Sequence, residues 1–196
     1  MTPRDRSDPV KVLDSVKLPD SPLAPEEPSG WAAADVHRAV SLKLVPQKLQ
    51  DKYGRAATRA EFCALAVALY ETEVGREITG RQSFTDSSDI NVEKAASIGV
   101  VNGTGPGIFD PGGQLTREQA AVMLSRLAGA IGKSLPDEAP AFNDVGGISS
   151  WAVDSIGQVQ AAGIMNGTGN NEFTPQGLYS REQCIVTILR LYDYLN

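Results

Sequence analysis

Three stretches of the chain place apolar side chains at the three-and-four spacing of a helix: Phe62, Leu65, Ala66 and Leu69; Ala120, Leu124, Leu127 and Ile131; Cys184, Ile188 and Leu191. Each is introduced by the same chemistry, Thr58-Arg59-Ala60-Glu61, Thr116-Arg117-Glu118-Gln119 and Ser180-Arg181-Glu182-Gln183. This is the signature of a capping box: the hydroxyl accepts from the third helical amide, and the Glu or Gln reaches back to the amide of the cap. A shorter stretch, Trp151, Ile156, Val159 and Ile164, precedes the third long one and stops around Gly163, a residue suited to ending a helix. The pattern predicts helix, loop, helix, with the long helices packed together as a central bundle and the short ones and loops outside. The runs Ile108-Phe109 and Glu172-Phe173-Thr174 predict small strand-like pieces within the loops.

The pattern repeats. Asn102-Gly103-Thr104-Gly105 aligns with Asn166-Gly167-Thr168-Gly169 at an offset of 64, and residues 102–119 against 166–183 give ten identities in eighteen. Upstream, Phe84-Thr85-Asp86 matches Phe142-Asn143-Asp144 at an offset of 58, so one six-residue length difference lies between the two landmarks. A more diverged copy precedes both: Thr58-Arg59-Ala60-Glu61 stands 58 residues before Thr116, and Trp31-Ala32 stands 120 before Trp151-Ala152. We divide the chain into units at 30–83, 84–141 and 142–196, none expected to fold alone, because each must bury its apolar face on a neighbour. Six of the 12 prolines fall within residues 1–29, which are therefore expected to be an extended linker or tail. The apolar runs Val10–Leu13 and Val16–Leu18 within it have prolines on both sides and predict no independent element.

Composition narrows the function. Hydrophobic residues make up 41% and charged residues 21% of the 196, which is ordinary globular usage and speaks against wholesale disorder. A formal charge of −6 argues against nucleic acid as partner. Two cysteines, Cys63 and Cys184, sit inside apolar helical patterns as small hydrophobes, and with one histidine, His37, the chain lacks material for a zinc site or a Ser-His-Asp triad. We expect no catalytic residue, metal or cofactor. No run approaches the ~18 apolar residues of a membrane span, and no apolar segment follows Met1–Arg6 as a signal peptide requires.

The arginines Arg59, Arg117 and Arg181 stand at the first helical position, where the helix dipole disfavours a cation by about 0.3–1 kcal/mol. Two readings explain the repetition. A guanidinium beside free helix amides can hold a carboxylate or phosphate; equally, each arginine can lock onto an acid of the neighbouring unit, with Asp86, Asp144 and Asp35 as candidates. Trp31 and Trp151, at the start of short helices, read by default as core packing, or as walls on which a sugar stacks. The Asn-Gly-Thr-Gly loops lack the Lys-Ser/Thr of a phosphate-binding loop and read as turns in which glycine supplies positive φ. Asp86-Ser87-Ser88-Asp89 lacks the ligand pattern of a calcium loop.

Together, Phe-x-Asp, Trp-Ala, a helix ending in Gly-Ile, a Gly-rich loop to Phe-x-Pro and Thr-Arg-(Ala/Glu)-(Glu/Gln) resemble the S-layer homology domain of bacterial cell-surface proteins, in three tandem motifs over residues 30–196. The segments Leu44–Gln47, Ile98–Gly103 and Val159–Met165 are similar to the version found in clostridia-related Gram-positive bacteria. The resemblance implies an all-α fold of three helix-loop-helix motifs in a pseudo-threefold arrangement, and a non-catalytic role at the cell surface. The partner it implies is a secondary cell-wall polysaccharide bearing a pyruvate ketal on an N-acetylmannosamine-type sugar, held in grooves between motifs. It further implies ligand-binding roles for Arg59, Arg117 and Arg181, and by weaker carry-over for Trp31, Trp151, Asp86 and Asp144. Self-association with other surface-layer proteins is the alternative. The sequence departs from the pattern at Ser87, which stands where the third unit has Trp151, at Pro46-Gln47-Lys48, which replaces the Gly-rich loop, and at Ser180, which replaces threonine. The grooves are therefore expected to be unequal.

Overall fold

A computed structural model describes residues 26–196. It is all-α: α1 (Ala33–Ser41), α2 (Arg59–Val74), α3 (Ile90–Ser97), α4 (Arg117–Ile131), α5 (Val153–Ala161) and α6 (Arg181–Leu195), with single 3-10 turns at Gln47–Leu49 and Val145–Gly147. The strand-like pieces expected at Ile108 and Glu172 do not form. Among the described residues the loops carry only isolated bridges, such as Gly105 with Ile108 and Gly169 with Glu172. The proline-bounded runs Val10–Leu13 and Val16–Leu18 lie outside the described residues. At the near end of the expected linker, however, Pro28 is buried and Ser29 is docked on α6, so the folded part begins slightly before Gly30.

All three long helices begin as their capping boxes dictate. Thr58, Thr116 and Ser180 are extended, each hydroxyl accepts from the third helical amide, and Glu61, Gln119 and Gln183 each accept from the cap amide. The long helices α2, α4 and α6 pack on one another, and each carries one short helix, α3 on α2, α5 on α4 and α1 on α6. The last pair joins the beginning of the described chain to its end. Ser29 donates from both its amide and hydroxyl to the Glu182 carboxylate (3.0 and 2.8 Å), and Arg38 meets Asp193 through two 2.6 Å hydrogen bonds. Ser149 repeats the first of these clamps on Glu118 of α4 (3.1 and 2.9 Å).

Just before the long helices the backbone closes a triangle. The Ala57 amide donates to Tyr179 O (2.8 Å), Tyr179 to Leu115 O (2.8 Å), and Leu115 back to Ala57 O (2.9 Å). Beneath it lies one continuous core, in which Phe62, Leu65 and Leu69 of α2, Leu124 and Leu127 of α4, and Ile188 and Leu191 of α6 are all buried, as are both cysteines. Burial pushes the Cys63 thiol up to about 12 and that of Cys184 higher still, so neither is a thiolate at neutral pH.

The glycines of the Asn-Gly loops do a different job from the one expected. Gly103 and Gly167 do not have positive φ. A Cβ there would lie 2.5 Å from Ile108 O and 2.8 Å from Glu172 O, so glycine is required by the close approach of two backbones. In the second of these loops positive φ falls on Gly169.

Candidate ligand-binding grooves

At α2 and α4 the first-position arginine turns sideways into the loop of the following unit. Arg59 donates from Nε to Phe109 O (3.0 Å) and from Nη2 to Asn102 O (2.9 Å), with its guanidinium 4.6 Å from the Phe109 ring centroid. Arg117 does the same to Phe173 O (2.7 Å), Asn166 O (2.8 Å) and the Phe173 ring (4.7 Å). Both side chains are buried. Among the described residues neither has a carboxylate within ion-pairing distance, so the expected lock onto Asp86, Asp144 or Asp35 does not form; the lock is made by neutral carbonyls.

The helix amides are not free either, which corrects the picture of an anion resting on a bare helix terminus. Arg59 N and Ala60 N donate to Gly113 O and Pro111 O, and Arg117 N and Glu118 N to Gly177 O and Pro175 O. The neighbouring loop thus consumes the orphan donors that a helix start leaves. What remains for a ligand is the guanidinium, a buried cation whose partners are uncharged. Burial holds Arg59 and Arg117 below the usual arginine range, against smaller opposing influences, led by Cys63 for the first and Tyr179 for the second, with the nearby aspartates after them. The attraction of an anion arriving at either cation would offset the cost of that desolvation.

Asp86 and Asp144 act on the loops. Asp86 accepts from the amides of Phe109 (2.8 Å) and Asp110 (2.7 Å), and Asp144 from those of Phe173 (2.8 Å) and Thr174 (2.7 Å). The phenylalanine two residues earlier packs beneath the same loop, Phe84 on Phe109 and Phe142 on Phe173, each pair at 5.2 Å between centroids. Phe-x-Asp therefore positions the carbonyls that hold the arginine, and neither aspartate lines a groove.

Backbone amides hold Asp86 below the usual carboxylate range. Asp144 is raised by burial but lowered more by the Phe173 and Thr174 amides, and also ends low. A carboxyl depressed in the folded state contributes stability that is present above its unfolded value near ~3.9 and lost as pH falls toward the folded one. Acidification from pH 6 to pH 3 should therefore loosen both loops. Asp144→Asn should flatten the acid limb of a Tm-against-pH profile; a limb of unchanged slope would sink this assignment.

Two grooves open over the buried arginines. One, of about 430 Å³, is lined by Arg59, Asn102, Gly103, Gln119, Arg126 and Trp151, with Thr104, Val122 and Met123. The other, of about 270 Å³, is lined by Arg117, Asn166, Gly167, Gln183, Arg190 and Trp31, with Tyr179, Val186 and Thr187. The shared positions correspond one to one. Trp31 and Trp151 are 58% and 56% exposed, so their default reading as core is wrong; each stands as a groove wall, its indole half in water.

Sequence reasoning missed the second arginine of each groove, Arg126 and Arg190. With its amide oriented to satisfy both neighbours, Asn102 accepts from Arg126 Nη1 at 3.2 Å, while Arg190 makes a long bond to Ile164 O (3.5 Å). The offset of 64 that aligns the loops also aligns these two residues, and extending it seven residues past Gln119 would have found them. Among the described residues no helix is long and apolar enough to cross a membrane.

The S-layer homology domain model matches residues 83–121 and 141–184. Over 176 residues the chain is 27% identical to exoglucanase XynX of Acetivibrio thermocellus, covering 85% of this chain and 16% of that protein. It is 36% identical over 110 residues to the S-layer protein sap of Bacillus anthracis, covering 55% and 12%. It is 26% identical over 170 residues to an amylopullulanase of Thermoanaerobacterium thermosulfurigenes, covering 83% and 9%. The chain thus spans no more than about a sixth of the length of these relatives. Two proteins named as enzymes and one named as a surface-layer component are each similar to it over a small part of their own length, and two segments of the chain, residues 83–121 and 141–184, match the S-layer homology domain.

Proposed function

We propose that the chain is a non-catalytic anchor that holds a larger protein to the bacterial cell wall by binding an acidic polysaccharide, a pyruvylated secondary wall polymer, in the grooves between its units. The observation that carries this reading is the duplicated groove: a buried arginine without a carboxylate partner, a second arginine above it, a glutamine and an asparagine, and a half-exposed tryptophan. A carboxylate on a sugar satisfies that set. The arginine takes the carboxylate through charge-assisted hydrogen bonds, the amides take hydroxyls, and the indole packs a sugar face.

In this reading Arg59 and Arg117 contact the ligand, Trp31 and Trp151 form walls, and Asp86 and Asp144 position the loops. The units 30–83, 84–141 and 142–196 are arranged with pseudo-threefold symmetry; the backbone triangle of Ala57, Leu115 and Tyr179 supports this. Two grooves on one polymer raise avidity through effective concentration. The net charge of −6 leaves local arginines, and not the overall field, to attract an anionic polymer.

Binding of the purified chain to pyruvylated wall polymer tests the proposal. Arg59→Ala with Arg117→Ala should weaken it by about 2–5 kcal/mol per groove, as expected when one partner of a buried charge pair is removed. Because these arginines also hold loops, Arg126→Ala with Arg190→Ala serves as a second variant with less at stake in folding, and should weaken binding in the same direction. Chemical removal of the ketals should abolish capture. Undiminished binding in both double variants would remove the arginine mechanism, and growth in sedimenting mass without polymer would favour self-association.

A further inference from the structure

The third long helix also opens on an arginine, but what surrounds it differs. Arg181 is only 4% exposed, and its Nη2 donates to Glu61 Oε1 at 2.8 Å in a direct ion pair. Arg55 donates to the same oxygen, and Arg181 Nη1 donates to Asp51 O. The Asp51 carboxylate, accepting from the Glu26 and Lys52 amides, adds a second negative charge in the neighbourhood of Arg181. Arg181 Nε finds no partner, whereas the same atom of Arg59 and of Arg117 reaches a phenylalanine carbonyl. Pro46-Gln47-Lys48 replaces the Gly-rich loop, and the loop carbonyl that reaches Arg181, Asp51 O, is taken by Nη1 and not by Nε.

Three further elements of the duplicated groove are exchanged here. Glu61 stands where the other helices have Gln119 and Gln183; Ala68 stands where they have Arg126 and Arg190; Ser87 stands in place of a tryptophan. We propose that this junction is a self-occupied site, in which the Glu61 carboxylate takes the place that a ligand carboxylate takes at Arg59 and Arg117, so that the chain offers two anion-binding grooves and not three. The inference rests on the sugar-binding reading above and goes beyond it by fixing the number of sites and naming the residue that sets it. A sugar acid arriving at Arg181 would meet Glu61, which is 15% exposed and charged, with no tryptophan wall and no second arginine to compensate.

The test is calorimetric titration of the full chain with a monovalent probe, the methyl glycoside of N-acetylmannosamine carrying a pyruvate ketal. Wild-type chain should take up two probes. Glu61→Gln, which keeps the capping box because glutamine serves that role at Gln119 and Gln183, should take up three, the third more weakly. A wild-type count of one or three, or a Glu61→Gln chain that still binds two, overturns the proposal. No uptake by the wild type would instead remove the sugar-binding reading itself, and this inference with it.

Discussion

Replacing Phe173 by alanine is expected to lower stability by about 3–5 kcal/mol and to weaken anion capture in one groove only. The ring is fully buried and stacks tilted on Phe142, so truncation removes apolar burial and leaves a cavity under the loop. The same ring faces the Arg117 guanidinium at 4.7 Å, a cation–π contact of about 0.5–2 kcal/mol that helps fix the arginine. Phe109 stands in the same relation to Arg59. The chain has two tryptophans, one in each groove, so each groove has its own fluorescent reporter. With Trp151 replaced by phenylalanine, Trp31 reports the Arg117 groove; with Trp31 replaced, Trp151 reports the Arg59 groove. Urea unfolding of Phe173→Ala gives the stability loss, and titration against each reporter gives its distribution. A loss below 1 kcal/mol, or equal weakening of both grooves, would contradict the assigned coupling between ring and arginine.

Local chemistry was legible in the sequence because it is local. Capping boxes at Thr58, Thr116 and Ser180 are four-residue events, and the helices began at the expected residues. Arginine at the first helical position was likewise readable, and so was the inequality of the units, since Ser87 and Pro46-Gln47-Lys48 break the pattern visibly. What could not be read is what crosses between units. The amides of Arg59 and Ala60 are consumed by Gly113 and Pro111 some 50 residues away, and periodicity carries no record of that. An aromatic residue at a helix start, such as Trp31 or Trp151, reads by default as core; only the course of α6 and α4 beside them makes each a groove wall. The role of Phe-x-Asp, which positions the arginine through a loop, also required the folded contacts of Asp86 and Asp144.

Deleting residues 180–196 should abolish cooperative folding of the whole chain, and should do more than fray its last unit. In an open solenoid each repeat touches only its neighbours, so losing a terminal one leaves the rest folded at reduced stability. Here α6 packs on α1, α2 and α4 together. Its loss exposes the partners of Cys184, Ile185, Val186, Ile188, Leu189 and Leu191, all buried. At about 1.5–3 kcal/mol for each large side chain the lost burial is on the order of 10 kcal/mol, comparable with the ~5–15 kcal/mol that holds a domain together. The deletion also removes the Glu182 and Asp193 carboxylates that clamp Ser29 and Arg38, leaving α1 without its support. Once α1 is released, Trp31 leaves the groove, and without Gln183 and Arg190 that groove no longer exists. Far-UV circular dichroism and amide exchange on a chain ending at Tyr179 should show a broad melt and no protected long helices. A sharp melt with α2 to α5 still protected would mean that the closed ring is dispensable and that the units stack as an open array.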